Sequence, residues 1–243
     1  MSRAVLGIGY GSREAAAALA VDGKIVAAGQ EEWFSRVRHD AQFPYHTILY
    51  CLEEANLELQ ELAAVAVVES LFPAGLRWLS RRRAARALRR LLHYRGKIVS
   101  VPRRAGATFA EAWAVLDAAG KVSASLLGQS RIIQEPGVYL GPAFSDEEVA
   151  AFLDTHSHPG RRLSGHERAE TVAEALAGGC VVGYFSGRME FGSQTRGARS
   201  ILADPRRHDL LARLMRGVEQ GGSCRLFAPS TEMPAPEELA SCI

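Results

Sequence analysis

Cysteine is scarce in this chain: four residues, at positions 51, 180, 224 and 242, none in Cys-x-x-Cys spacing. That scatter encodes neither a disulfide framework nor a zinc site built on paired cysteines, and it suits incidental thiols in a reducing compartment. Long apolar runs are also missing. No window approaches the roughly 18 apolar residues that a membrane span needs, and MSRAVLGIGY lacks the charged start and long apolar stretch of a secretory leader. The sequence therefore places the chain in the cytoplasm with no membrane span. Net charge is close to nil, at +2, which says little about partners. Its distribution is uneven: between Leu71 and Arg95 there are eight arginines and no Asp or Glu.

With 243 residues, 47% of them hydrophobic, the chain can bury one good core or two modest ones. Residues 4 to 29 read as three strands, two of them joined by Asp22-Gly23, a dipeptide suited to positive backbone φ in a hairpin. Pro44 opens a helix whose Tyr45, Ile48, Leu49 and Leu52 share one face and which ends near Asn56; AAVAVVES from Ala63 follows as a buried strand. This order of three strands, helix and strand suits half of a ribonuclease-H-like unit.

From Leu76 to Leu92 the apolar residues fall on one helical stripe, with Arg81, Arg82, Arg86, Arg89 and Arg90 mostly elsewhere. A basic amphipathic helix results, able in principle to contact nucleic acid or an anionic membrane. No aromatic interleaving or recognition motif accompanies it, so a solvated face is the reading preferred and no nucleic-acid partner is expected. Helices are expected at 108–119 and 146–155, the second with Ser145 and Glu148 as a capping box. Gly120 to Gly137 reads as linker and irregular strand. A further helix from about Glu167 ends at Gly178 and Gly179, and another follows Asp204-Pro205, carrying Leu210, Leu211, Leu214 and Val218; the tail from Ser230 is expected to fray.

The segment VVGYFSGRMEFGSQTRGARSILADPR, Val181 to Arg206, is too dense in glycine and arginine for regular structure. Glycines at 187, 192 and 197 let backbone approach a ligand, while Arg188, Arg196 and Arg199 offer forked donors for phosphate or carboxylate. A Gly-rich turn with solvated arginines is the equal alternative. His156, His158 and His166 lie close in sequence, but without Cys or acidic residues at ligand spacing they read as a surface loop. Ser200 has no histidine nearby to complete a hydrolase triad.

Four blocks, in order, resemble the O-carbamoyltransferase family typified by the nodulation and cephamycin enzymes: Val5 to Pro44, YLGPAFSDEEV from Tyr139, GRMEFG with RSILADP, and CRLFAPS from Cys224. The resemblance implies α/β architecture: a truncated ribonuclease-H/actin-like lobe at 1–120, a linker at 121–137 and a partial YrdC-like lobe at 138–243, shortened in the middle and at the end. It implies carbamoyl transfer from carbamoyl phosphate, through carbamoyl adenylate made with ATP, to a hydroxyl of a small metabolite. Adenylation is physically needed, because a carbamate is a poor acyl donor without a good leaving group.

Carried over by residue matching, the carbamoyl phosphate or nucleotide contacts are Arg188, Glu190, Gly192, Gly197, Arg199, Ser200 and Arg225. His39, in the block RVRHD, either helps to hold an anionic ligand or only bridges strand and helix, and Glu32 is a second candidate ligand contact. Where the family has His-Asp this chain has Arg13 and Glu14, which puts a permanent cation in place of a base. The family's iron site is not recognisable, so no metal ligand is assigned, and no catalytic residue is named. The alternative is a non-catalytic accessory subunit or degenerate homologue that binds a partner protein; a homo- or hetero-oligomer is compatible with either.

Overall fold

The computed structural model describes residues 3–11, 14–68, 77–101, 111–127, 139–192 and 198–207, with backbone alone at 77–81, 111–113 and 127. The chain begins as a meander. Strands β1 (Ala4–Gly9), β2 (Ala16–Val21) and β3 (Lys24–Gln30) pair antiparallel in sequence order, and Asp22 and Gly23 turn the second hairpin at φ of 46° and 87°. A short helix α1 (Glu32–Ser35) ends at Arg36 in the left-handed region, and α2 (Tyr45–Glu54) buries Thr47, Ile48, Cys51 and Leu52; of the stripe expected from sequence Ile48 and Leu52 are buried, whereas Leu49 is exposed.

β4 (Leu62–Val68) returns parallel to β1, and α3 (Arg77–Leu92) leads to β5 (Ile98–Val101), parallel to β4. The mixed five-stranded sheet has the order β3-β2-β1-β4-β5. β5 was not foreseen, because Lys97 and Ser100 mask its two valines and isoleucine.

Helix α4 (Glu111–Leu127) corrects the sequence reading at its carboxyl end, while the expected start at 108–110 lies outside the described residues. It was expected to stop at 119, with linker from Gly120, yet the helix runs through Gly120, and residues 121–127 of the expected linker are helical. Val115, Leu116, Ala118 and Val122 lie in one apolar cluster with Val5, Ala16, Ala18, Ala64 and Ala66 of the sheet. That burial outweighs the roughly 1 kcal/mol that an interior glycine costs a helix. The sheet face toward α4 is nearly all alanine and glycine, so the helix comes close: a methyl group added at Gly7 would sit 2.3 Å from the carbonyl oxygen of Val115.

The other face of the sheet carries Leu6, Ile8, Leu19, Val65 and Val67 against α2 and against Ala84 and Leu88 of α3. Alternation along β1 and β4 assigns the two faces, as a strand buried on both sides requires.

By its contacts the chain forms two compact units, residues 1–149 with 186–198, and 150–185 with 199–243. Segment 186–198, which the sequence put in the second lobe, is grouped with the first. In the second unit the expected helix is α6 (Gly165–Ala177), with Ser164 and Glu167 completing a capping box. The helix before it, α5 (Asp146–Thr155), begins with the expected Ser145 and Glu148 box. β6 (Val182–Phe185) pairs antiparallel with β7 (Arg199–Leu202). At Asp204 the expected helix cap is instead a turn in which the carboxylate accepts the backbone N–H and the guanidinium of Arg206. The helix expected from Leu210, Gly197, Arg225 and the tail from Ser230 lie outside the described residues.

Candidate functional site

β3 is an edge strand of the sheet, and two extended pieces of chain build onto it. Ala28 N–H donates to the carbonyl of Leu140 at 2.9 Å, Gly141 N–H to that of Met189 at 2.9 Å, and Met189 N–H to that of Pro142 at 2.9 Å. The blocks YLGP and GRMEFG, far apart in sequence, are thus laid side by side. Gly141 is required there: a Cβ would fall 2.8 Å from both the Met189 Cβ and the Trp33 ring.

Alternation then sorts the GRMEFG block. Met189 and Phe191 are buried in the cluster under α4, Phe191 meeting Trp33 edge-on at 6.1 Å. Arg188 points the other way, to α2, where its Nη2 lies 2.6 Å from Glu54 Oε1 and donates to the Tyr50 hydroxyl at 3.1 Å. Tyr50 in turn donates to the Leu140 carbonyl at 2.9 Å. Partial burial works against the charge of Arg188, but its hydrogen bonds to Glu54 and Tyr50 and their electrostatic attraction together outweigh this, and the guanidinium is held above its ordinary value. Burial pushes the Tyr50 phenol up. Arg188 is therefore a clasp between the signature block and α2 as well as a donor of spare N–H groups.

A second cluster gathers at the carboxyl end of β3. The block RVRHD folds back so that the carbonyls of Asp40 and Ala41 accept the N–H groups of Ala15 and Gly11. His39, in the left-handed region at φ 53°, donates its backbone N–H to Glu32 at 2.9 Å and places Nδ1 3.3 Å from Glu14 Oε1. Gln30 Nε2 donates to the other oxygen of Glu14 at 3.3 Å. The two residues expected as ligand contacts, Glu32 and His39, are thus neighbours, and Glu14 joins them.

The residue missed from sequence is Glu31. Its carboxylate is buried and stands at the amino end of α2. Oε1 accepts the backbone N–H of His46 at 3.1 Å and lies 2.6 Å from its Nδ1, and Oε2 accepts the N–H and hydroxyl of Thr47 at 2.9 and 2.7 Å. Pro44, the cap residue, offers no side-chain acceptor, so Glu31 supplies from a distance the anion that a helix amino terminus favours. The Gln-Glu-Glu triplet was visible; which glutamate turned inward was not.

Glu190 and Gly192 belong to the first unit with Arg188, while Arg199 and Ser200 lie in the second. Within β7 they face Phe185 and Tyr184 of β6 across the ladder, so this end of the signature segment is strand where the sequence suggested loop. His156 and His158 stack nearly parallel, 6.2 Å apart, with Phe152 on His156, and His166 pairs with Glu170 at 3.2 Å. Among the described residues no three His, Cys, Asp or Glu side chains converge as metal ligands.

Residues 173–241, which contain the β6–β7 hairpin, match the family described as carbamoyltransferase C-terminus. That part of the chain resembles the carbamoyltransferase carboxy terminus. Nodulation protein NolO of Bradyrhizobium diazoefficiens is similar, 37% identical over 54% of this chain and 23% of its own length. An uncharacterized protein of Synechocystis is 37% identical over 47% of this chain and 20% of its own. Nodulation protein NolNO of Sinorhizobium fredii is 45% identical over 26% of this chain and 9% of its own. The matched part of this chain spans about a fifth of the length of the first two relatives. No helix among the described residues is long and apolar enough to cross a membrane.

Proposed function

We propose that this chain is a member of the carbamoyltransferase family and takes part in moving a carbamoyl group from carbamoyl phosphate, through carbamoyl adenylate made with ATP, to a hydroxyl of a small metabolite. The observation that carries the reading is the match of residues 173–241 to the carbamoyltransferase carboxy-terminal family. Strand order β3-β2-β1-β4-β5, with an antiparallel meander followed by parallel strands, supports a ribonuclease-H/actin-like first unit. The second unit is read as the YrdC-like lobe.

In this scheme water cleaves carbamoyl phosphate to carbamate and inorganic phosphate, and a carbamate oxygen then attacks the α-phosphorus of ATP, giving carbamoyl adenylate and displacing pyrophosphate. Arg199, Ser200 and Arg225 are read as contacts for the anionic groups of ATP, and Arg188, Glu190, Gly192 and Gly197, which belong to the first unit, are carried over separately as ligand contacts from the family's block. Guanidinium forks suit this work because they bind phosphate oxygens in pairs and stay charged. In the transfer step the acceptor hydroxyl attacks the carbamoyl carbon, AMP leaves, and the hydroxyl proton must go to a base. We assign that proton to His39, whose imidazole is half exposed and backed by Glu14 at 3.3 Å. The pair offers an imidazole and carboxylate although the family's His-Asp is Arg13-Glu14 here.

Pyrophosphate release from ATP that depends on carbamoyl phosphate tests the first step, with Arg188→Ala and Arg199→Ala as controls. Release abolished in both variants is the expected result. No release from folded protein overturns autonomous adenylation and favours the accessory-subunit reading, in which the chain acts by binding a partner protein. His39→Gln should leave pyrophosphate release intact and stop transfer to an added hydroxyl acceptor.

A further inference from the structure

The basic helix α3 resolves into two faces. At 100° per residue, Ala84 and Leu88 point about 150° away from the mean direction of Arg83, Arg86 and Arg90. Ala84 and Leu88 are fully buried against the sheet, whereas Arg83, Arg86 and Arg90 line an open concavity of the surface together with Ala87 and Leu91. Arg82 and Arg89 are exposed beside them, and His93, Arg95 and Lys97 continue the exposed basic surface past the helix. Among the described residues Arg86, Arg89 and Arg90 form no ion pair, and the sequence from Ser70 to Ala110 contains no acid.

The placement of Arg89 and Arg90 in the last helical turn gives each a modest favourable interaction with the helix dipole. That account leaves out Arg82, Arg83 and Arg86, which lie nearer the middle. Nor is the helix built to enter a membrane. An interfacial helix inserts its apolar stripe, and here Ala84 and Leu88 of that stripe are already inside the protein. What remains outside is a row of cations with axial steps of about 4.5 and 6 Å from Arg83 to Arg86 to Arg90, suited to successive negative groups on a polymer.

We propose that the exposed face of α3, centred on Arg83, Arg86 and Arg90, binds the phosphate backbone of a nucleic acid without reading its sequence. Charge complementarity is the argument: this is an acid-free stretch in a chain of net charge only +2, so the positive potential is concentrated on one face. The absence of base-reading aromatics from the concavity's lining is why sequence preference is not part of the proposal.

Fluorescence anisotropy of a labelled single-stranded RNA of mixed sequence, titrated with the full chain across a salt series, tests it. Three neutralised phosphates predict a slope of about −2 in log affinity against log salt. The triple variant Arg83→Gln, Arg86→Gln, Arg90→Gln should bind at least tenfold more weakly with a slope near zero, and its far-ultraviolet circular dichroism should match the wild type because all three side chains are exposed. Wild-type binding by the folded triple variant overturns the proposal, as does a wild-type slope near zero. Binding to phosphatidylserine vesicles that matches or exceeds RNA binding and is lost in the same variant also overturns it, in favour of a membrane surface.

Discussion

Thr47 gives both its backbone N–H and its hydroxyl to one oxygen of Glu31, at 2.9 and 2.7 Å, while the other oxygen serves His46. A single carboxylate therefore ties the exit of β3 to the first turn of α2. Glu31→Ala leaves these donors without partners in a site where Thr47 is fully buried, and should cost about 2 kcal/mol. Urea unfolding followed by circular dichroism checks the value. Glu31→Gln keeps the acceptor oxygen for one side only, so it should fall between alanine and the wild type.

The clasp at Arg188 and Glu54 is only partly buried, so it should be weak in stability terms. A double-mutant cycle with Arg188→Ala and Glu54→Ala should give a coupling of about 0.5 to 1 kcal/mol. A coupling near zero would mean that Arg188 is held by Tyr50 and backbone rather than by charge.

At Gly7 the nearest obstacle is backbone, the Val115 carbonyl of α4, which cannot swing aside as a side chain would. Gly7→Ala should force the helix away from the sheet and cost about 1 to 3 kcal/mol. The same substitution at Gly120, where an added methyl meets nothing within 4 Å, should stabilise the helix by up to about 1 kcal/mol. Thermal melts of the two variants side by side are the measurement.

Burial pushes the Cys51 thiol up, first through desolvation and then through Glu54. Little thiolate forms at neutral pH, and the sulfur is closed to solvent. With Cys180, Cys224 and Cys242 replaced by serine, the folded protein should not react with a disulfide reagent at pH 8, and urea should expose one thiol per chain.

Tyr10 packs edge-on against Phe43 at 5.5 Å, and burial pushes its phenol up to about 12, with Arg83 pulling in the opposite sense. The folded state therefore holds the proton more tightly than the unfolded chain, whose phenol loses it near 10. The stabilisation from a neutral Tyr10 is complete below pH 10 and declines as pH rises from 10 to about 12. Tyrosinate absorbance, compared with Tyr10→Phe, should show a late-ionising group, later still in Arg83→Gln.

Local chemistry made much of this fold legible in the sequence. Asp22-Gly23 announced its hairpin, the Tyr45 to Leu52 stripe announced α2, and the Ser145–Glu148 box announced the start of α5. What was illegible depends on contacts between distant segments. Gly120 looks like a helix end until the alanine face of the sheet is there to hold Val122 beyond it. GRMEFG looks like a ligand loop until Trp33 and Gly141 are seen to receive Phe191 and Met189. At the candidate site, Glu32 and His39 were each named because they lie in one block, though nothing in the sequence said that they meet, and Glu31 was passed over because inward orientation is decided by the helix it caps.

The route of the backbone has one more consequence. The chain leaves the first unit after Val149, re-enters at Ser186 and leaves again after Ala198, so the second unit is reached through three covalent crossings. No single cut can therefore deliver both units whole. A chain stopped at Val149 would keep every strand of the five-stranded sheet yet lose Met189 and Phe191 from its core, and a fragment begun at Ala150 would carry those two side chains with nowhere to bury them. Protease nicking between 149 and 186 should accordingly leave the pieces associated, held by the greasy plug of GRMEFG, until denaturant pulls it out.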